Sequence, residues 1–173
     1  MSSTLTRFPA KKSSAALRRH KDGSLAENKL STGIVNCCVH GWDGKMVKGH
    51  LASAQIIEEI RVGLPIQELR DLQASLDLPM EKLFPMLGLS KATFHRRQAE
   101  GRLDQAESDR VVRFAKLMGK AVEVLESGVN ARKWLNSPQF GLGGAIPLEY
   151  AETEIGAREV ENLLGRIEHG VYS

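Results

Sequence analysis

Residues 134–173 read WLNSPQFGLGGAIPLEYAETEIGAREVENLLGRIEHGVYS, and they carry a regular helical pattern at the end of the chain. Apolar residues recur there at the i, i+3, i+4, i+7, i+11 spacing that places side chains on one face of an α-helix. The stripe consists of Val160, Leu163, Leu164, Ile167 and Val171. We expect Thr153 to cap the start of this helix and Gly170 to end it. The apolar face must pack on the chain's own core or on a partner, and the spacing leaves both open.

Matched positions spread over about forty residues of this segment resemble a known domain. They are Leu142-Gly143-Gly144, Pro147-Leu148, Thr153, Gly156, Glu159-Val160 and the run from Leu164-Gly165-Arg166-Ile167-Glu168 through Gly170. The resemblance is to the toxin-binding domain of Xre/ParS-type antitoxins, the partners of RES-domain toxins, which attack NAD. It implies that residues 128–173 form a small helical toxin-binding domain whose C-terminal end closes the toxin's NAD pocket. The residues implied to line that contact are Arg158, Glu159, Arg166, Glu168, Tyr172 and Ser173.

The bulk composition limits the size and class of the protein. With 173 residues, 42% hydrophobic and 26% charged, the chain predicts one or two small domains. A net charge of +3 indicates a nucleic-acid partner only if the positive charges cluster. No apolar run is long enough for a membrane span, and no secretory signal pattern is present. The adjacent Cys37 and Cys38 fit a reducing, cytoplasmic location better than a disulfide framework.

Residues 1–50 predict a flexible basic arm. The first 21 residues contain no acidic side chain, and their basic residues are Arg7, Lys11, Lys12, Arg18, Arg19 and Lys21. Three interpretations remain open: a tail without a specific role, an arm that contacts DNA phosphates, and an organellar transit peptide. A natural start at Met46 would make the arm an upstream extension.

The second half of the arm contains residue types that bind metals. These are Cys37, Cys38, His40, Asp43 and His50. Adjacent cysteines do not match the C-x2-C spacing of tetrahedral zinc sites. We therefore expect loop residues here and no metal site.

Residues 51–127 predict a helical domain that contains a helix-turn-helix. Its central part, residues 79–103, reads PMEKLFPMLGLSKATFHRRQAEGRL. Gly88 permits the turn and Ser90 caps the second helix, as in a helix-turn-helix motif. Pro85 predicts that the first helix is short and bent or begins late. The segment, with Leu87-Gly88-Leu89-Ser90, resembles the helix-turn-helix of the Xre family.

The second helix of this motif carries the candidate DNA-binding residues. They are Ser90, Lys91, Thr93, His95, Arg96, Arg97 and Gln98. A recognition helix lies in the major groove, where arginine reads guanine, glutamine reads adenine, and lysine or serine holds phosphate. The alternative is that the basic residues form a solvated face. We expect Phe94 to point into the core.

Helical patterns flank the motif on both sides, and the sheet signal is weak throughout. Isoleucines at 56, 57 and 60 predict one helix, and a stripe from Ile66 to Leu76 predicts another. Asp104 and Glu107 predict a capping box at the start of a long helix that ends at Gly128. A short helix follows near residues 131–135. The chain is therefore predicted to be all-α.

No catalytic motif is present, so we expect neither an enzymatic activity nor a cofactor. Together the two resemblances predict an antitoxin that neutralises a RES-domain toxin and represses its own operon through operator DNA. They also imply a homodimer within a larger toxin–antitoxin complex. One alternative is a stand-alone repressor whose C-terminal domain only dimerises. Another is a protein–protein adaptor without DNA binding.

Overall fold

The computed structural model describes residues 33–40 and 53–171, and within these ranges every regular element is a helix. The all-α prediction is thereby confirmed. No helix of the described ranges is both long and apolar enough to cross a membrane. The α-helices are α1 (Ile34–His40), α2 (Ser53–Val62), α3 (Ile66–Leu76), α4 (Met80–Met86), α5 (Lys91–Glu100), α6 (Gln105–Leu125), α7 (Gly128–Leu135), α8 (Pro147–Tyr150) and α9 (Glu154–Glu168). A 3-10 turn covers Phe140–Leu142.

The long helix α6 is the centre of the molecule. Its buried face includes Val111, Phe114, Met118 and Ala121. Helices α1, α2, α3, α7 and α9 all pack against it. The helix-turn-helix part and the C-terminal part therefore share one core, although the sequence predicted a domain boundary between residues 127 and 128.

Helix α1 lies inside the predicted arm, so the prediction of a flexible segment was wrong for residues 34–40. Ile34, Val35 and Val39 are buried against α6 and α3. The carboxylate of Glu68 accepts hydrogen bonds from Ile34 N and Val35 N, both at 2.9 Å, and so caps the start of α1. Burial raises the pKa of Glu68 above its ordinary value, although the two backbone hydrogen bonds oppose that shift.

The loop expected around the residues of metal-binding type is not seen at the two cysteines. Cys37 and Cys38 lie on α1, while Asp43 and His50 are outside the described residues. In the ranges that the structure describes, no group of three histidine, cysteine or acidic side chains is arranged to hold a metal ion.

Most predicted helix ends are confirmed, and one is wrong. Ser90, Asp104 and Thr153 cap their helices through side-chain hydrogen bonds, and Asp104 and Glu107 form the capping box. However, α6 ends at Leu125, because Glu126 takes the left-handed conformation with φ of 54°. Gly128 starts α7 instead of ending α6.

Pro85 fits in α4 because that helix is short. It is the next-to-last residue, so its missing N–H affects only the final turn. Beyond it, Leu87 N donates to Leu83 O at 3.1 Å and Leu89 N to Phe84 O at 2.8 Å. Gly88 has a φ of +62°, which a residue with a Cβ rarely adopts. The chain thus turns sharply from α4 toward α5.

Candidate functional site

The predicted recognition helix α5 is fixed at both ends and along its inner face. Ser90 Oγ accepts a hydrogen bond from Thr93 N at 3.0 Å. At the other end, Gly101 has a φ of +78° and its N–H donates to Arg97 O at 2.8 Å. Phe94 packs inward as expected, with its ring centroid 5.1 Å from that of Phe84. These contacts leave the opposite side of α5 to solvent.

Four of the predicted DNA-binding side chains are exposed to solvent along α5. Lys91, His95 and Gln98 follow an i, i+4, i+7 spacing, so they lie on one face of α5, beside Phe94. Arg96 lies farther round the helix with 62% of its side chain exposed, and its only close acidic neighbour in the described ranges is Glu100, at 3.8 Å. Donors and acceptors of this kind on an exposed helix face are suited to phosphates and base edges. Thr93 is half-buried, and its hydroxyl lies 2.9 Å from that of Ser90.

Arg97 differs from its neighbours because its guanidinium is bound within the protein. It contacts Glu107 at 2.7 Å, Glu100 at 2.8 Å and Asp104 at 2.6 Å. Only 15% of the Arg97 side chain and 6% of that of Glu107 are exposed. Hydrogen bonds to these carboxylates raise the pKa of Arg97 further. The structure therefore places Arg97 where it ties α5 to the start of α6, with its guanidinium already paired within the protein.

Two further arginines support the motif, and neither role was predicted. Arg110 on α6 donates from Nη1 to Leu87 O at 2.8 Å, at the turn between α4 and α5. Arg102 donates from Nε to Gly63 O at 2.9 Å, which links the residue after α5 to the end of α2. Both contacts join residues more than twenty positions apart, so no local spacing reveals them.

The C-terminal helix α9 is tied to α6 near both of its ends. Arg113 contacts Glu154 at 3.4 Å in the first turn of α9, and Lys120 contacts Glu168 at 2.8 Å in the last. The hydrogen bond from Lys120 lowers the pKa of Glu168. Val160 and Leu164 are fully buried between these two ion pairs. This attachment fixes the position from which the last residues leave the fold.

A groove of about 560 Å³ lies beside α9, and we call it the Arg166 groove. Its apolar walls come from Leu125, Trp134, Leu163, Ile167 and Val171, and the 3-10 turn closes one side with Phe140. Trp134 is half-buried here. Arg166 lines the groove, and its Nε is buried without a hydrogen-bond partner among the described residues.

The six residues implied to contact a toxin fall into three groups. Glu159, Leu163 and Arg166 are spaced i, i+4, i+7, so they lie on one face of α9. Leu163 and Arg166 of this face line the groove. Glu168 is turned away from Glu159, toward Lys120, and Arg158 is exposed beside Glu154 at 3.1 Å. Tyr172 and Ser173 lie outside the described residues.

Comparison with known proteins identifies the family. The antitoxin Xre of Yersinia enterocolitica is 32% identical over 120 residues, which are 68% of this chain and 81% of that protein. The antitoxin Xre of Photorhabdus laumondii is 33% identical over 113 residues, which are 64% of this chain and 76% of that protein. The chain belongs to the Xre antitoxin family. Both resemblances recognised in the sequence, to the helix-turn-helix and to the toxin-binding domain, are thereby confirmed.

The family models divide this Xre-family chain inside α6. Residues 55–116 match the antitoxin Xre-like helix-turn-helix domain, and residues 120–170 match the antitoxin Xre/MbcA/ParS C-terminal toxin-binding domain. A Sphingobium protein named "Prs ADP-ribosylating antitoxin" is also similar, at 29% identity over 66% of this chain and 78% of that protein. The match to the toxin-binding domain, residues 120–170, contains every residue that lines the Arg166 groove except Val171.

Proposed function

We propose that this Xre-family antitoxin neutralises an NAD-consuming RES-domain toxin by occupying its NAD pocket with the C-terminal end. The observation that carries the proposal is the double attachment of α9 to α6 through Glu154 and Glu168. A helix that is already held in place needs no ordering when it meets a partner, which lowers the entropic cost of binding.

The identity of the partner rests on chemistry as well as on the family. The Sphingobium relative carries ADP-ribosylation in its name, and ADP-ribosyl transfer consumes NAD. These points support a toxin of the RES class, and with it the toxin-contact residues Arg158, Glu159, Arg166, Glu168, Tyr172 and Ser173.

We further propose that α5 binds operator DNA and represses the operon that encodes the chain. Lys91, His95, Arg96 and Gln98 are the exposed side chains that support this role, with Ser90 and Thr93 at the start of the helix. Arg97 is left out because its guanidinium is paired with three carboxylates.

Dimer formation is the third part of the proposal. Ile56 and Ile60 of helix α2 pack against the core, whereas Ile57 and Val62 are exposed. Exposed apolar side chains on the helix-turn-helix part suit a symmetric contact that presents two copies of α5 to two operator half-sites.

The test of the toxin assignment is the NAD content of cells that express the neighbouring toxin-like reading frame. It is measured with no antitoxin, with the full chain and with a chain that ends at Glu168. We expect the NAD content to collapse when the toxin is expressed without antitoxin. It should recover with the full chain and stay low with the shortened one. The shortened chain keeps α9 and its contacts with α6, so it separates loss of the end from loss of the fold.

The result also decides between the proposal and its rival. An unchanged NAD level in all three cultures would favour a stand-alone repressor whose C-terminal part only dimerises. If both chains restored the NAD content, the residues that neutralise the toxin would lie before residue 169.

A further inference from the structure

The Arg166 groove suggests a second contact with the toxin, beside the chain's C-terminal end. We infer that the groove receives an apolar side chain of the toxin, and that an acidic side chain next to it on the toxin pairs with Arg166. The inference rests on the proposed function, since it takes the occupant to be the toxin. It adds an anchoring contact outside the NAD pocket.

Arg166 gives the groove its chemical preference. Its Nε is buried and has no hydrogen-bond partner among the described residues. Arg166 is the only charged residue among those that line the groove, so its guanidinium sets the charge preference there. A carboxylate is the acceptor that pairs most strongly with a guanidinium.

Phe140 gives the groove an apolar rim. Its side chain is 98% exposed, although the turn that carries it is firmly held. Gln139 Nε2 donates to Trp134 O at 2.9 Å and to Ser137 O at 3.0 Å. A Cβ on Gly141 would lie 2.5 Å from Leu163 Cδ1, so the turn packs directly on α9. An exposed aromatic ring on a held turn, beside a concave apolar surface, is typical of an interface anchor.

The position of the groove identifies the occupant as the toxin. The residues 120–170 that match a toxin-binding domain include Phe140, Leu163 and Arg166. Val171 lines the groove and directly precedes the residues proposed to enter the NAD pocket. One partner that holds the C-terminal end is therefore within reach of the groove as well.

The inference is tested with the full chain and the purified toxin, by titration calorimetry. Two groove variants, Phe140→Ser and Arg166→Gln, are compared with Ile155→Ser. Ile155 is a matched control because it is 77% exposed on α9 and does not line the groove. We expect each groove variant to bind roughly tenfold more weakly, and the control to stay within about twofold. Thermal melting verifies that all three variants are folded.

The outcomes separate this inference from the proposed function. If the unmodified chain binds the toxin and both groove variants bind equally well, neither the groove nor Arg166 contacts the toxin, and the proposed occupation of the NAD pocket by the C-terminal end still stands. If the unmodified chain does not bind the toxin, both are wrong. If the groove variants convert a dimer to a monomer in the absence of toxin, the groove holds a second copy of the chain, and the inference is overturned.

Discussion

Arg97 uses its charge within the fold, through ion pairs with three carboxylates. It has the same residue type as Arg96 and lies next to it, yet their surroundings differ. Arg96 is 62% exposed, whereas Arg97 is 15% exposed and contacts three carboxylates. The sequence shows two arginines in a row, and only the position of α6 distinguishes them.

We expect Arg97→Ala and Arg96→Ala to affect different properties. Arg97→Ala leaves Glu107 buried without its cation, so the free energy of unfolding should fall by about 2 kcal/mol. Arg96→Ala should change that free energy by less than about 0.5 kcal/mol and should weaken binding to the upstream promoter fragment, most strongly at low salt. Urea denaturation and fluorescence anisotropy measure the two effects. A stable Arg97→Ala protein with the larger loss of DNA affinity would return Arg97 to the DNA contact.

At the scale of single elements, the helices with local signals could be predicted and α1 could not. The caps at Ser90, Asp104 and Thr153 depend on residues three positions away, which a sequence displays directly. Helix α1 depends on Glu68, more than thirty positions away, and on Gly119, where a Cβ would collide with Cys38 O. A helix of seven residues has too few periodic positions to be recognised without those contacts.

The attachment of α1 should depend on pH through Glu68. Its pKa is raised in the folded state, so between its ordinary pKa and the raised value the folded protein holds more protons than the unfolded chain. The free energy of unfolding should therefore fall as the pH rises through that window. The measurement is the difference between the unmodified chain and Glu68→Gln in urea denaturation at several pH values.

The control for the Glu68→Gln experiment is Glu81→Gln. Glu81→Gln removes an exposed carboxylate and accounts for the loss of one negative charge. The contradicting result is a free energy of unfolding that rises with pH in the unmodified chain relative to Glu68→Gln. It would mean that the hydrogen bonds from Ile34 N and Val35 N outweigh desolvation, so that the pKa of Glu68 is lowered instead.

The groove and the C-terminal end illustrate what the sequence reveals of the site. The resemblance selected Glu159 and Arg166, which the fold brings to one face of α9. It did not select Phe140, because a phenylalanine in a turn has no periodic signature. Nor did it reveal Lys120, whose contact with Glu168 joins positions 48 residues apart. Contacts between distant segments follow from the packing around α6, and a single sequence does not encode them in any local pattern.

For the whole molecule, α6 makes the two functional parts one folding unit. A chain that lacks residues 153–173 loses Val160 and Leu164, which are fully buried in the shared core. Two such side chains alone contribute about 4 kcal/mol or more, so we expect a much lower melting temperature and, through unfolding, weaker DNA binding.

A chain that lacks only residues 169–173 provides the matched comparison for this deletion. It keeps α9 and the Lys120–Glu168 ion pair, so its melting temperature and DNA affinity should equal those of the full chain. Calorimetry and anisotropy on the three chains measure both quantities. If the longer deletion melted and bound DNA like the full chain, the C-terminal part would be an independent domain. A shared core instead means that toxin and DNA binding are separable by surface substitutions such as Arg96→Ala and Phe140→Ser, and not by removing α9.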